Sequence, residues 1–269
     1  MTTADFIIAL FYRIDNQMTN VPKHPQAVLH PSEVVTLGVL YALKGGSKRA
    51  FYRWLVRDWH AFFPRLPERT RLFRLWAAHP DWINAFRAQP TTLGVIDSYG
   101  IELLHPAREG RAAQPLGKKG RSNHRWIIGG KLCVIVNQWG LIVDWECNTA
   151  NVHDSVFHPM IRRFQQQMIL LSDRGFHAKG GDPANLKVCP HKTWGERMVI
   201  ETVFSMLTRI SGFKQQTHRA WAYFKAHLSL AMAAFNLLAG WDGLQPDEKG
   251  FVKLSMPSLA YRPLAPLVK

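Results

Sequence analysis

Two aspartates end short apolar runs of the chain in the same way. Asp97 lies in the run 93–98 (LGVIDS), and Asp173 directly follows the run 168–172 (MILLS). Both runs have the length and composition of buried strands, and a side chain at the end of such a strand emerges into a crevice. Converging carboxylates suit Mg²⁺ or Mn²⁺, and two such ions can activate an attacking oxygen at a phosphodiester. Aspartate is also a common capping residue, so each of them alone has a purely structural interpretation.

Glu201 is the third candidate carboxylate, and it lies on an amphipathic segment. Between residues 194 and 210 the polar side chains of Arg197, Glu201, Ser205 and Thr208 fall on one stripe of a helix whose other faces are apolar. Such a stripe faces either solvent or a site. Arg197, one turn before Glu201, is placed to pair with it or to bind a phosphate through two hydrogen bonds. An ordinary surface ion pair between these two residues is the alternative.

The periodicity of the chain changes after Pro90-Thr91-Thr92. Before this point the pattern is helical, and the predicted helices are 3–18, 33–44 and 47–63. Beyond it the predicted strands are 93–98, 131–137, 141–147, 168–172 and 184–190, and the predicted helices are 151–166, 194–210 and 220–238. This order predicts an α/β fold around a mixed sheet, preceded by an all-α region. The expected organisation is a helical region 1–90, an α/β domain 91–240 and a C-terminal extension 241–269.

Basic side chains concentrate in two places. The third predicted helix, which follows the Gly45-Gly46 turn, carries one stripe formed by Arg49, Arg53 and Arg57. A helix, a glycine turn and a basic helix occur in this order in helix-turn-helix proteins. The polar, glycine-rich loop 106–125 holds a second group, Lys118, Lys119, Arg121 and Arg125. Both groups are predicted to contact DNA phosphates. A solvated face of a helical bundle and a solvated charged loop are the alternatives.

The composition narrows the class of protein. Lys and Arg number 34 against 19 Asp and Glu, a formal charge of +15 that favours nucleic acid as a partner. Three cysteines without a C-x-x-C spacing argue against a disulfide scaffold or a zinc finger. No signal peptide is expected, since Asp5 precedes the first apolar run and no basic segment leads it. The apolar stretch 220–238 contains Lys225 and Asn236 and fits a buried helix better than a membrane span. We therefore expect a soluble, cytoplasmic protein.

Four segments together resemble those of bacterial insertion-sequence transposases with a DDE active site. They are VIDSYG around Asp97, TANVHDS at 149–155, LLSDRGFH around Asp173 and WGERMVIETVFSML around Glu201. The resemblance extends over about residues 30 to 240. It implies a ribonuclease-H-like domain with a mixed five-stranded sheet, in which Asp97 lies on the first strand, Asp173 follows the fourth and Glu201 lies on a late helix. It also implies that these three carboxylates bind two Mg²⁺ or Mn²⁺ ions.

The signature around the family's glutamate reads Tyr, two residues, Arg, three residues, Glu, six residues and Lys. This chain has Trp194, Arg197, Glu201 and Thr208 at those positions, so the first and last members differ from the signature. The three carboxylates are unaffected by this departure.

Other candidate groups have structural interpretations. Asp154 is predicted to cap a helix, and Asp144 and Glu146 are predicted to face solvent. The histidines do not have the spacing of a zinc site, and His153 and His177 are interpreted as DNA contacts or as groups that support the site. The Gly-Lys pair at 117–118 lacks the other residues of a Walker A motif, so no nucleotide site is expected.

The activity that the resemblance implies is metal-dependent cleavage at the ends of a transposable element and transfer of the cut strand into target DNA. The implied partners are the terminal inverted repeats, the target DNA and a second copy of the chain, as a homodimer on DNA. Two alternatives stay open at this point. One is a nuclease or resolvase of the same fold that cuts without joining, and the other is a non-catalytic DNA-binding protein derived from a transposase.

Overall fold

A computed structural model describes residues 2–111, 116–122, 125–189, 198–212 and 218–244, together with positions 248, 252 and 254. Its α-helices are α1 (Thr3–Gln17), α2 (Pro31–Lys44), α3 (Lys48–Asp58), α4 (Arg69–Ala78), α5 (His158–Arg162), α6 (Met198–Ser211) and α7 (Trp221–Ala239). Its strands are β1 (Leu93–Leu104), β2 (Gly120–Ser122), β3 (Arg125–Asn137), β4 (Ile142–Thr149), β5 (Ile169–Ser172) and β6 (Leu186–Val188). Short 3₁₀ turns connect several of these elements.

The central sheet is mixed and has the strand order β4-β3-β1-β5-β6. The pairs β1–β3 and β3–β4 are antiparallel, whereas β1–β5 and β5–β6 are parallel. The five strands form a mixed sheet of the kind that the family resemblance implies, and they confirm the predicted α/β fold class with helices before the sheet. The short strand β2 adds a sixth member, because it pairs with the beginning of β3.

The helices of the N-terminal region begin at side-chain caps. The Thr2 hydroxyl accepts the Asp5 N–H, and the Asp5 carboxylate accepts the Thr2 N–H, so the cap lies one residue earlier than the predicted start. The Ser47 hydroxyl caps α3 by accepting the Ala50 N–H. The prediction that α3 reaches residue 63 is wrong, since the helix ends at Asp58. Pro64 disfavours helical backbone at Phe63, the residue before it, so α3 could not have continued through residue 63.

Other boundaries also differ from the sequence prediction. β1 continues to Leu104 because its backbone stays paired with β3 as far as Ile128, and β3 begins at Arg125 because its first three residues pair with β2. The helix predicted over 151–166 is reduced to a 3₁₀ turn, Asp154–Phe157, followed by α5. Pro159 lacks a donor N–H and lies in the first turn of α5, where a proline is tolerated. Thus a helix cannot run through this position from residue 151.

Helix α7 lies at the centre of the larger core. That core includes Leu10 of α1, Leu40 of α2, Leu132 of β3 and Phe224 of α7, so the N-terminal helices and one face of the sheet share it. Alternate residues of the strands, such as Ile96, face a smaller core on the other side of the sheet. Packing is thus continuous across residue 91, and the division into 1–90 and 91–240 stays a prediction. In the described part of the chain, no helix is long and apolar enough to span a membrane.

Asp144 is buried in β4, and the prediction that it faces solvent is wrong. Its carboxylate lies 2.7 Å from Arg87 Nη1 and 2.6 Å from Arg163 Nη2. Arg163 also pairs with Glu146 at 2.7 Å. Arg87 belongs to the segment before β1 and Arg163 follows α5, so this ion-pair cluster connects two separated segments to the sheet. Asp144 thus has a structural role.

Candidate active site

Asp97, Asp173 and Glu201 line one cavity of about 570 Å³. Asp173 directly follows β5, but Asp97 lies within β1 and does not end its strand as predicted, because β1 stays paired with β3 as far as Leu104. Val95 of β1 lies opposite Leu171 of β5 in a parallel pair, so Asp97 and Asp173 follow at equivalent positions on adjacent strands. Glu201 is an exposed side chain of α6, which packs on β1 through a ring contact between Phe204 and Tyr99, with centroids 5.6 Å apart. The structure therefore brings the three predicted carboxylates together around one cavity.

Main-chain N–H groups orient the two aspartates. The Ser98 N–H donates to Asp97 Oδ1 at 2.7 Å, and the Gly175 N–H donates to Asp173 Oδ1 at 2.9 Å. Asp173 also serves as the N-cap of the 3₁₀ turn Arg174–Phe176. A hydrogen bond of this kind fixes the plane of a carboxylate. Both aspartates are half-buried, which keeps them in contact with the cavity.

Asp154 is a fourth carboxylate in this cavity, and sequence reasoning assigned it a different role. It was expected to cap a helix, but the His153 side chain performs that function by accepting the Ser155 N–H. Asp154 Oδ1 instead accepts the Ser98 hydroxyl at 2.7 Å and lies 3.0 Å from Lys131 Nζ. The sequence did contain one indication of this position, because Asp154 lies in TANVHDS, one of the four segments that resemble the insertion-sequence transposases.

Gly175 allows two of these carboxylates to approach each other. A Cβ atom at this position would lie 2.8 Å from Asp154 Oδ2 and 2.9 Å from Asp173 Oδ1, which is closer than real Cβ contacts. Only glycine leaves this space unfilled. The backbone of the Asp-Arg-Gly turn is therefore part of the floor of the site.

The donor set has the chemistry of a hard divalent cation. Four carboxylates line the cavity, whereas neither cysteine nor histidine is among the described lining residues. Oxygen donors of this type are those that Mg²⁺ and Mn²⁺ prefer. Across the residues that the structure describes, no group of three or more acidic, histidine or cysteine side chains is close enough to hold an ion. The carboxylates thus face a shared space without forming a closed ligand shell.

Cys133 lies directly behind the carboxylates, opposite Ser98 on β3. Burial is the main cause that raises the pKa of its thiol well above the usual range, and the charges of Asp154 and Asp97 raise it further. A thiol in this state is neutral at physiological pH and is neither a nucleophile nor a metal ligand. Cys133 therefore has a packing role.

Positive side chains surround the same cavity. Arg121 and Arg209 are exposed at its edge, and Lys131 contributes a half-buried ammonium group. Of the other predicted loop contacts, Lys118 is exposed, Lys119 Nζ lies 5.9 Å from the centroid of the Trp126 ring, and Arg125 lies 3.5 Å from Glu102. Arg121 is thus the member of that group that the structure places at the site.

The arginine stripe of α3 is divided in the structure. Arg49 lines a second cavity, described below, whereas Arg53 is exposed and Arg57 forms two hydrogen bonds with Asp58. His177 pairs with Asp182 at 2.8 Å. Arg197 lies outside the described residues, and its predicted role stays a prediction.

Comparison with known proteins links this region to transposases. Residues 87–181 match the family model described as a transposase DDE domain, a stretch that includes Asp97, Asp154 and Asp173 and ends before Glu201. A search of curated proteins found no match to the chain.

Solved structures of the Mos1 transposase are similar to the chain at a low level. The Mos1 strand transfer complex is 14% identical, with 84% of this chain and 82% of that chain covered and a TM-score of 0.30. The Mos1 paired-end complex with the left transposon end is 16% identical, with 79% of each chain covered and a TM-score of 0.24. The Mos1 mariner paired-end complex with Mn is 15% identical, with coverages of 84% and 82% and a TM-score of 0.23. No conclusion rests on similarity at these scores.

Proposed function

We propose that the chain is a DDE-type transposase that cuts the ends of a transposable element and joins them to target DNA. The observation that carries this proposal is the convergence of Asp97, Asp173 and Glu201 on one cavity with basic residues at its edge. The match of residues 87–181 to a transposase DDE domain supports it independently.

Asp97, Asp173 and Glu201 are the residues that would hold two Mg²⁺ or Mn²⁺ ions. When bound, such ions lower the pKa of water and neutralise charge on a phosphodiester in the transition state. The main-chain bonds to Asp97 and Asp173 keep their carboxylates in a fixed plane, so little reorganisation is required.

The proposed reaction is a pair of in-line displacements. In the first, the oxygen of water bonds to phosphorus at the end of the element, and the 3′-oxygen leaves and takes a proton. In the second, that 3′-hydroxyl attacks a phosphorus of the target and displaces a target 3′-oxygen, so the number of phosphodiester bonds is conserved. No covalent enzyme intermediate and no nucleotide hydrolysis are needed.

Three further groups would support this reaction. Lys131 and Ser98 hold Asp154 beside Asp173, which positions the acidic floor of the cavity. Arg121 and Arg209 are placed to bind phosphate oxygens at the edge. Arg197, one helical turn before Glu201 in the sequence, would hold a phosphate or orient Glu201. Because two ends must be cut and joined together, we propose a homodimer on DNA.

The experiment that tests this function uses a labelled duplex with the terminal sequence of the element, together with an unlabelled target. The proposal predicts products with a free 3′-hydroxyl, and then joined products, only when Mg²⁺ or Mn²⁺ is present. Cleavage without joined products would indicate a nuclease or resolvase. Binding without metal-dependent cleavage would indicate a DNA-binding protein derived from a transposase.

A further inference from the structure

We propose that a second groove, which we call the basic groove, binds the backbone phosphates of the DNA that extends from the catalytic cavity. The groove has a volume of about 990 Å³ and lies where α2, α3, α4, α6 and α7 meet. Its basic lining residues are Lys44, Lys48, Arg49, Arg69, Arg209 and Arg219. That the ligand is the DNA of the catalytic cavity rests on the proposed function, whereas a preference for phosphate follows from the residues of the groove itself.

The described lining of the basic groove carries one sign of charge, since none of the described residues that line it is acidic. Asp58 and Glu68 interact electrostatically with Lys44 and Arg69, but they lie outside the lining. None of its six basic residues forms a salt bridge with a described carboxylate, in contrast to Arg57, which is held by Asp58. Clefts lined by one sign of charge focus the electrostatic field and raise the local concentration of a polyanion. The groove therefore has the electrostatic character of a phosphate-binding surface.

Lys48 shows how the groove fixes a cation. Its ammonium nitrogen lies 3.7 Å from the centroid of the Tyr223 ring and 5.0 Å from that of the Phe73 ring. Burial lowers the pKa of this lysine to about 8, so the group is still mostly protonated at neutral pH. A partly desolvated cation without a carboxylate partner gains more from a phosphate than a fully hydrated one does.

The helix ends around the groove contribute little to its charge. The beginnings of α3, α4 and α7 lie on it, and so do the ends of α2 and α6. The positive ends of three helix dipoles are thus largely offset by the negative ends of two others. The attraction for an anion comes mainly from the six side chains.

Arg209 connects the basic groove to the catalytic cavity, because its side chain lines both. It follows Glu201 by eight residues on α6, which corresponds to about 12 Å along the helix axis. Successive phosphates of one DNA strand advance about 3.4 Å along the duplex axis, so this distance is about three base steps. A strand with its reacting phosphate beside Glu201 can therefore place its next phosphates in the groove.

The test is the salt dependence of DNA binding by the full chain without divalent metal. The variant Arg49→Ala/Arg219→Ala removes two exposed cations of the groove. The control Lys23→Ala/Arg162→Ala removes two exposed cations that line neither cavity. Each lost phosphate contact reduces the slope of log K against log salt by about 0.9. We expect the slope of the groove variant to fall by about 1.8 and that of the control to stay at the wild-type value.

Equal slopes for the groove variant and the control would overturn the proposal. The single variant Arg219→Gln provides a second measurement, in which we expect the slope to decrease by about 0.9. Cleavage with Mg²⁺ is measured separately on the wild type. If the wild type does not cut DNA, and the groove variant shows the expected decrease in the slope of log K against log salt, the catalytic proposal fails and the basic groove stands. If the wild type cuts and the slope is unchanged in the groove variant, the basic groove fails alone.

Discussion

Replacing Asp144 with alanine tests the structural role that separates this carboxylate from those of the cavity. The side chain is 2% exposed and makes two ion pairs of 2.6 and 2.7 Å. Removing one partner of a buried ion pair costs about 3–5 kcal/mol, because the remaining charge is left uncompensated. Here the side chains of Arg87 and Arg163 are 38% and 51% exposed, so both can turn toward water. We therefore expect a loss of about 2–3 kcal/mol in the free energy of unfolding.

The assay is urea unfolding, supported by thermal melting. For a chain of this size the expected loss corresponds to a decrease of about 4–12 °C in Tm. The matched control is Glu146→Gln, whose side chain is 39% exposed and pairs with Arg163 alone among the described residues. That change should cost less than about 1 kcal/mol. A loss below about 0.5 kcal/mol for Asp144→Ala, or an equal loss for the control, would refute the reasoning.

Three further predictions concern the site, the basic groove and a thiol. Gly175→Ala should lower metal-dependent cleavage by about 100-fold, since the new methyl group displaces Asp154 and Asp173; a wild-type rate would show that their spacing is unimportant. Because the pKa of Lys48 is about 8, its charge is lost as pH rises through that value. The salt slope of DNA binding should therefore decrease by up to about 0.9 between pH 7 and pH 9.5 in the wild type, but not in Lys48→Met. A disulfide reagent should label the half-buried Cys189 ahead of the other two cysteines, because burial raises the pKa of Cys147 to about 12 and that of Cys133 well above its usual range. Equal labelling rates would contradict this account.

Local patterns were sufficient to predict where Asp97 and Asp173 lie. An apolar run reports strand burial directly, and the parallel register of β1 and β5 places Asp97 and Asp173 at equivalent positions. The expectation that Asp97 ends its strand is wrong, because pairing with β3 extends β1 to Leu104. Glu201 was predicted from helical periodicity, which depends on the same short-range information. Their roles as metal ligands stay predictions.

The errors arose where a side chain meets a partner that is distant in sequence. The alternation of Asp144 and Glu146 is typical of an exposed strand face, and nothing near them indicates that Arg87 and Arg163 cover it. Asp154, in the 3₁₀ turn before α5, likewise was interpreted as a local cap, because its partner Lys131 belongs to β3, which is distant in sequence. Competition between a local cap and a tertiary ion pair is decided by packing, which the sequence pattern does not contain.

The basic groove has the same origin. Its cations come from the α2–α3 turn, α4, α6 and the beginning of α7, and each is unremarkable within its own segment. The predicted stripe of Arg49, Arg53 and Arg57 was a regular helical pattern, yet only Arg49 lines the groove. A charged surface assembled from several segments depends on how helices pack, so the periodicity of one helix cannot define it.

The central claim is that Asp97, Asp173 and Glu201 form one metal-dependent catalytic site. Its most direct test is cleavage of the labelled element end by Asp97→Asn, Asp173→Asn and Glu201→Gln at saturating protein, with Glu146→Gln as the matched control. Our account predicts that each of the three variants binds the DNA, melts near the wild-type temperature and cuts at least about 100-fold more slowly. The control should cut at the wild-type rate. A wild-type rate in any one of the three would contradict the account.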